Sequence, residues 1–369
     1  MKQLYLKSVG LFSLALLLFS TPGMAQLNLP SGSQLAKVSQ RIGISDVTVT
    51  YSRPSVNGRE VWGNLVPYGM NNLGFGTAKE SPWRAGANEN TTIAFSDDVK
   101  IEGKDLAEGI YGLHMVIKED GGATIIFSKN HTAWGSYFYE PSEDVLKVDV
   151  KTRNVAHTEQ LTFEINEVSA TSATVALNWE KKQIPFKVEV DVPTIVLTDI
   201  REKLQNSPGF NRQTWEQAAN YSLNNGGDLE EALGWINGAI AGQFFSQKNF
   251  NNLSIKSGIL TKQGKTDEAN AVMDEALLQA SVLETHGYGR QLIAQGQKER
   301  AMEVFKLNAK KNKGQWPVDF GLARGYSTTG NYKSAIKHLK VAAGRAPDQP
   351  NKDAIAGFLA KLENGEDIN

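Results

Sequence analysis

From Val47 to about Val192, apolar and polar residues alternate with period two. The runs are short and rich in Val, Ile, Thr, Phe and Tyr: VTVTYS, TTIAFS, YGLHMVI, ATIIFS, LKVDV, LTFEINE, ATVALNW and IPFKVEV. Such alternation turns one face of a strand toward a core and the other away from it. Turn signals such as Glu102-Gly103-Lys104 and Asp120-Gly121-Gly122 separate several runs, and no long helical pattern intervenes. About eight strands without crossover helices predict an antiparallel β-sandwich or barrel. In YGLHMVI, Tyr111, Leu113, Met115 and Ile117 share one face, which leaves His114 on the other.

Near Pro193 the period becomes helical. Gly227, Gly264, Gly296 and Gly330 recur at spacings of 37, 32 and 34 residues, the range of a helix-turn-helix repeat. In the last unit Leu322, Ala323, Tyr326, Gly330, Tyr332, Ala335, Leu339, Ala342 and Pro347 fall in register on the tetratricopeptide positions. Earlier units keep a small residue in the second helix (Ala232, Ala269, Ala301) and a larger apolar one four positions later (Ile236, Met273, Phe305). The small residue lets paired helices approach and the larger one fills the gap between them. Lys256 and Ser257 stand where Leu and Gly or Ala are usual, so the repeat resembles the tetratricopeptide unit without reproducing it. The tail after Pro347 reads as a capping helix.

The expected class is therefore α+β multidomain, an antiparallel β-sandwich or barrel followed by a tetratricopeptide-like solenoid. A length of 369 residues agrees, being more than one core usually accommodates. The expected divisions are a signal peptide (1–25), an N-terminal segment (26–46), the β-domain (47–192), a linker (193–211) and the helical repeats (212–369).

Charge and cysteine content narrow the function. With 39 Lys+Arg against 40 Asp+Glu, no global field favours nucleic acid or an anionic membrane. Lys2 and Lys7, the short apolar run Val9 to Phe19, and the small residues of Gly23-Met24-Ala25 predict a secretory signal cleaved after Ala25, with no stable membrane span. The absence of cysteine excludes disulfides, a thiol nucleophile, a thiolate metal site and a lipoprotein anchor together. No sorting domain is recognisable after Pro347, so the expected destination is the periplasm rather than the medium.

No G-x-S-x-G elbow, H-E-x-x-H, Walker loop or dinucleotide fingerprint is present, and no cofactor is expected. The five histidines lie at no short metal-ligand spacing, and no metal is assigned to them. Gly74-Phe75-Gly76 and Gly287-Tyr288-Gly289 read as turn or packing glycines.

Polar and aromatic residues instead concentrate between Tyr51 and Asn90: YSRPSVNGREVWGNLVPYG, then WRAGANENTT. With GKDLAEGIYGLHMV and WGSYFYEP, these motifs resemble a family of secreted bacterial proteins catalogued as domain of unknown function 2911. The matching residues are Tyr51-Ser52-Arg53-Pro54, Gly58-Arg59, Trp62-Gly63, Leu65-Val66-Pro67, Trp83-Arg84, Gly86-Ala87-Asn88-Glu89, Gly109, Tyr111, Leu113, His114 and Trp134-Gly135, spread over Val47 to Val150. The resemblance implies no known reaction. One departure is MNNLGFGTAKESP, inserted between Gly69 and Trp83 where the family runs almost directly from a proline-aromatic-glycine turn into Trp-Arg. A loop of this length costs little closure entropy, so the fold should tolerate it while a pocket beside Trp83 would be covered or reshaped.

Two readings of the cluster compete. In one, Arg53, Arg59 and Arg84, with Trp83, Asn88, Glu89 and Asn90, line a polar cleft that grips an envelope glycan or a small anionic ligand. In the other, Arg84 pairs with Glu89 or Glu60, the asparagines satisfy turn amides, and Trp62 and Trp83 plug the end of the sandwich. The expected function is an exported, non-enzymatic envelope protein whose ligand-binding β-domain is coupled to repeats that dock a protein or peptide partner. Asn220, Asn224, Asn252, Lys256 and Arg324 are expected on the docking surface. The alternative is a hydrolase or lyase in which His114 works with Glu89 beside an arginine clamp, and it requires those side chains to converge in one cleft.

Overall fold

The computed structural model describes residues 29–369, so the expected signal segment lies outside the described residues. The chain divides into two compact units, one ending at Val192 and one running from Pro193 to Asn369.

Among the described residues the first unit holds ten strands in two open antiparallel sheets, not a closed barrel. One sheet has the order β1 (Gln34–Ile42), β2 (Ser45–Arg53), β3 (Thr92–Phe95), β6 (Gly109–Ile117), β7 (Gly122–Ser128), β8 (Asp144–Lys151). The other has the order β5 (Lys104–Leu106), β4 (Val99–Ile101), β10 (Ser172–Val190), β9 (Arg153–Asn166). The alternation read from sequence sets the inward faces. Val47, Val49 and Tyr51 of β2, Leu113 and Met115 of β6, and Ile125 and Phe127 of β7 are buried, as are Leu161, Phe163, Val175, Leu177, Phe186 and Val188 of the second sheet. Rings join the two layers, Tyr51 with Phe163 at 4.8 Å and Phe127 with Phe186 at 5.8 Å. Each fully buried large side chain contributes about 1.5–3 kcal/mol, so this interlayer core supplies the main stabilisation of the unit.

Several sequence expectations need correction. Within the expected N-terminal segment, residues 34–42 form a strand not read from sequence, paired along its whole length with β2. The runs ATVALNW and IPFKVEV are one strand, β10, whose register against β9 shifts on either side of Glu180, a residue with φ 55°. The strands β4 and β5 flank the Glu102-Gly103 turn that sequence reading recognised only as a turn.

The second unit is built of ten helices. They are α1 (Val192–Leu204), α2 (Arg212–Asn224), α3 (Leu229–Ile240), α4 (Phe250–Lys262), α5 (Thr266–Gln279), α6 (Val282–Ala294), α7 (Lys298–Lys311), α8 (Trp316–Thr328), α9 (Tyr332–Arg345) and α10 (Gln349–Glu363). Helices α2 to α9 form four pairs. Each intra-pair turn carries a glycine in the left-handed region that L side chains rarely adopt: Gly226, Gly264, Gly296 and Gly330, at φ 79°, 80°, 79° and 76°. In the first pair the residue with this conformation is Gly226, not Gly227. Gly227 is instead required by contact, since a Cβ there would lie 2.3 Å from Ser222 Oγ. The second-helix residues read from sequence are all buried: Ala232, Ala269, Ala301 and Ala335, with Ile236, Met273, Phe305 and Leu339. The expected linker is also structured, for α1 buries Leu197 and packs Ile200 and Leu204 on the cluster of Ala218, Ala232, Trp235 and Ile236.

Candidate functional site

The site is built by the long connection from β2 to β3. Pro54 follows β2, and β3 is only four residues long, pairing with Gly109–Gly112 of β6. The rest of that edge of β6 would be left without partners, and the connection supplies them. Leu113 N–H donates to Thr91 O (2.8 Å), Trp83 and Met115 exchange both main-chain bonds (2.9 and 2.8 Å), and Gly69 N–H donates to Ile117 O (2.8 Å). Satisfying these buried amides fixes Trp83 at the sheet edge.

The stretch WRAGANENTT is a turn that holds itself. Ala85 and Asn88 have positive φ (52° and 60°), conformations for which Asn is among the better tolerated residues. Arg84 Nη1 donates to Asn88 O at 2.6 Å, and Thr91 Oγ1 donates to Ala85 O at 3.1 Å. The Arg84 guanidinium also lies 5.2 Å from the centre of the Tyr137 ring and against Gly135, where any Cβ would fall 2.4 Å from Arg84 Cζ. Asn88 Nδ2 donates to Ser31 Oγ and Ser33 O, tying down the segment ahead of β1. Arg84 pairs with neither Glu89 nor Glu60. Its hydrogen bond is to a main-chain carbonyl.

Beside this turn lies a cleft of about 540 Å³. Its lining includes Arg59, Trp83, Arg84, Asn88 and Trp179, while Asn71, Leu73, Ser81 and Pro82 of the inserted loop form part of its wall. The insertion thus shapes the cleft. Trp83 and Trp179 stack at 5.9 Å and 15°, and Trp62 meets both edge-on at 5.9 and 6.0 Å. The indole Nε1 of Trp62 and of Trp179 is buried without a hydrogen-bond partner. Arg59 spends its bonds on main-chain oxygens, Nε to Val56 O and Nη2 to Ser55 O. Among the described residues no carboxylate lines the cleft. Glu159, whose field reaches Arg59, accepts from Asn57 N–H and contacts His157 Nε2 instead, and these bonds hold its carboxyl below the usual range.

Of the residues proposed from sequence, Arg59, Trp83, Arg84 and Asn88 come together on the cleft; Arg53, Glu89, Asn90 and His114 do not. Arg53 staples β2 to β9, with Nε donating to Leu161 O (3.0 Å) and Nη2 to Thr162 Oγ1 (2.6 Å). Asn90 is buried and donates to Asn130 O, and Glu89 is exposed. His114 lies beneath the 130–143 loop at 3% exposure, its Nδ1 3.1 Å from Ser136 Oγ and its ring against Tyr139. Burial lowers its pKa to about 4, with Asp144 opposing and Arg84 adding to the shift, so it is neutral at neutral pH. The convergence of His114 and Glu89 that a hydrolase or lyase would need is absent. Among the described residues no group of three or more His, Asp or Glu side chains could hold a metal ion.

Trp179 lines the cleft from within the core, at 1% exposure, as an aromatic ring inside a strand pattern signals. On the helical unit, Asn252 is fully buried and bonded to Glu216 and Gln247 O, and Arg324, 9% exposed, is occupied by bonds to Ile368 O and Asn369 Oδ1. Asn220 bonds to Asn224 on the same helix. No described helix is long and apolar enough to cross a membrane.

Among solved structures, the chain is similar to a tetratricopeptide repeat protein from Parabacteroides merdae, at 16% identity over 47% of this chain and 70% of that one, with a TM-score of 0.32. It is also similar to YrrB, a TPR protein with an unusual peptide-binding site, at 15% identity over 45% and 84% of the two chains, TM-score 0.29. No curated protein matches the chain. Residues 33–188, which take in all of β1 to β9 and β10 to within two residues of its end, match the family described as protein of unknown function (DUF2911), and the motifs from Tyr51 to Gly135 that carry the resemblance lie within that match.

Proposed function

We propose that this chain is an exported binding protein whose β-unit holds a small organic anion with a flat or ring-shaped part, and whose helical unit docks a protein. One observation carries the ligand reading: two arginines line a cleft in which, among the described residues, no carboxylate stands, beside the partly exposed indole of Trp83. A guanidinium bonded only to carbonyl oxygens keeps its full charge available to an anion, and an indole face favours a planar group. The paired helices support the docking reading, since stacked helix pairs present an extended inner face. Export rests on the basic, apolar and small-residue order of residues 2–25. The envelope glycan considered from sequence is the competing ligand for the same indole.

The test is quenching of tryptophan fluorescence in the purified protein by benzoate and phenyl phosphate, with benzamide as the neutral counterpart and chitotriose as the glycan arm. The anions should bind at least tenfold tighter than benzamide. Arg59→Ala should weaken them by about tenfold, the worth of one charge-assisted hydrogen bond. Chitotriose binding that is indifferent to Arg59→Ala would replace the anion with a neutral sugar, and no response to any probe would overturn the ligand reading.

A further inference from the structure

Residues 364–369 show what the last helix pair can recognise. Helix α10 stops at Glu363, and Gly365, at φ 78°, reverses the backbone so that Glu366 N–H bonds back to Lys361 O. Residues 367–369 then run against α8, the first helix of the last pair. Ser327 Oγ donates to Asp367 Oδ1 (2.6 Å) and accepts from Ile368 N–H (3.1 Å). Arg324 Nη1 donates to Ile368 O (3.0 Å) and Asn369 Oδ1 (3.2 Å), and Asn369 Nδ2 donates back to Arg324 O (3.1 Å). The Ile368 side chain is 4% exposed, in the cluster that holds Ala323, Leu339, Ile355 and Leu362. This is extended-peptide recognition, with main-chain bonds, one apolar anchor and one acid.

The charges match as well. Arg324, whose guanidinium lies over the Phe320 and Phe358 rings, is near enough to Arg290 of α6 to feel its charge. Arg290 is exposed and, among the described residues, in no ion pair. The tail that meets this basic edge carries Glu363, Glu366 and Asp367. It is an imperfect ligand, because Arg324 Nε stays buried without a partner.

We propose that the face of α8 around Arg324 and Ser327, with Arg290 beside it, is a docking site for an acidic peptide segment of another protein carrying an acid–aliphatic–amide run, and that residues 366–369 occupy it in cis. The inference rests on the reading of the helical unit as a docking element and is independent of the β-unit cleft. A partner peptide must displace the tail, so binding is attenuated until an intermolecular segment makes the better match.

The probe is the fluorescein-labelled peptide Gly-Glu-Asp-Ile-Asn, followed by anisotropy. It should bind a chain shortened after Gly365, and the full chain carrying Ile368→Asp, at least tenfold tighter than the unaltered protein. Arg324→Met in the shortened chain should cut that affinity at least tenfold, and added salt should weaken it. The unaltered protein gives a second reading. Since the sequence has no cysteine, Glu366→Cys places a single spin label on the tail, and excess unlabelled peptide should mobilise it. A shortened chain that melts cooperatively yet binds the peptide no better than the full chain overturns the site, as does a label that stays immobile at millimolar peptide. A protein partner that binds equally with and without residues 366–369 and with Arg324→Met would keep the docking reading and overturn this site alone.

Discussion

Three arginines from one motif-rich stretch do three different things, and their hydrogen-bond partners decide which. Arg53 donates across to β9, so its loss removes two bonds between the sheets. Arg53→Ala should lower unfolding free energy by about 1–2 kcal/mol while leaving benzoate affinity within twofold of the unaltered protein, as urea unfolding and fluorescence titration would show. Arg59, exposed at the cleft and bonded only to its own loop, should show the reverse. Arg84 is held between Gly135 and Tyr137, so its replacement would disturb the turn and the cleft together. Sequence reading grouped all three because they are close along the chain and of one type. It could not separate them, because the distinction lies in which strand passes behind each one. For the same reason it found the turn at Trp83 to Thr92 but placed Glu89 and Asn90 on the cleft, whereas Glu89 is exposed and Asn90 is buried against Asn130 O.

At the scale of the element, α6 carries two glycines two residues apart whose surroundings differ. A Cβ at Gly287 meets nothing within 4 Å, whereas one at Gly289 would fall 2.4 Å from Phe305 Cε1. Phe305 cannot easily give way, since it is fully buried and also packs on Gly321 and Gly325 of α8. Gly287→Ala should therefore stabilise the protein by about 0.5–1 kcal/mol through backbone entropy. Gly289→Ala should destabilise it by about 1–3 kcal/mol through overpacking, so thermal midpoints of the two variants should move in opposite directions. The sequence reading of both as packing or turn residues fits Gly289, which receives a ring, and not Gly287, which lies inside the helix against open space. The elements read best were those with a strong period and two-sided constraint, such as β2 and α9. Those missed were β1, whose residues are mostly exposed and lack a clear apolar face, and β4 and β5, each three residues long. Helix α1 was read as linker because its apolar residues, Leu197, Ile200 and Leu204, follow a proline and precede the first recognisable repeat.

Over the whole molecule, each unit contains one deeply placed histidine that burial keeps neutral. His114 in the β-unit and His286 in the helical unit both have pKa values lowered from 6.5 to about 4. For His286 burial is the main cause, with Arg324 and Arg290 adding to it, while the contact of Nδ1 with Pro317 O (3.1 Å) opposes it. The sign of the linkage follows. Between pH 6.5 and 4 the unfolded chain takes up a proton at each site that the folded protein refuses, so stability falls as pH drops through this window and levels off below it. Each site can contribute up to about 3 kcal/mol to that loss. Carboxylates with lowered values, such as Asp46, Asp149 and Asp367, act mainly below about pH 4, so the decline between pH 6.5 and 5 belongs to the histidines. Asparagine can place an amide near the position of Nδ1 without titrating. Urea midpoints of His114→Asn and His286→Asn should each fall less steeply over that range than the unaltered protein, and the double variant should be nearly flat. A decline that both substitutions leave unchanged would mean that protons enter the folded protein elsewhere and that neither histidine is excluded from solvent as strongly as its burial implies.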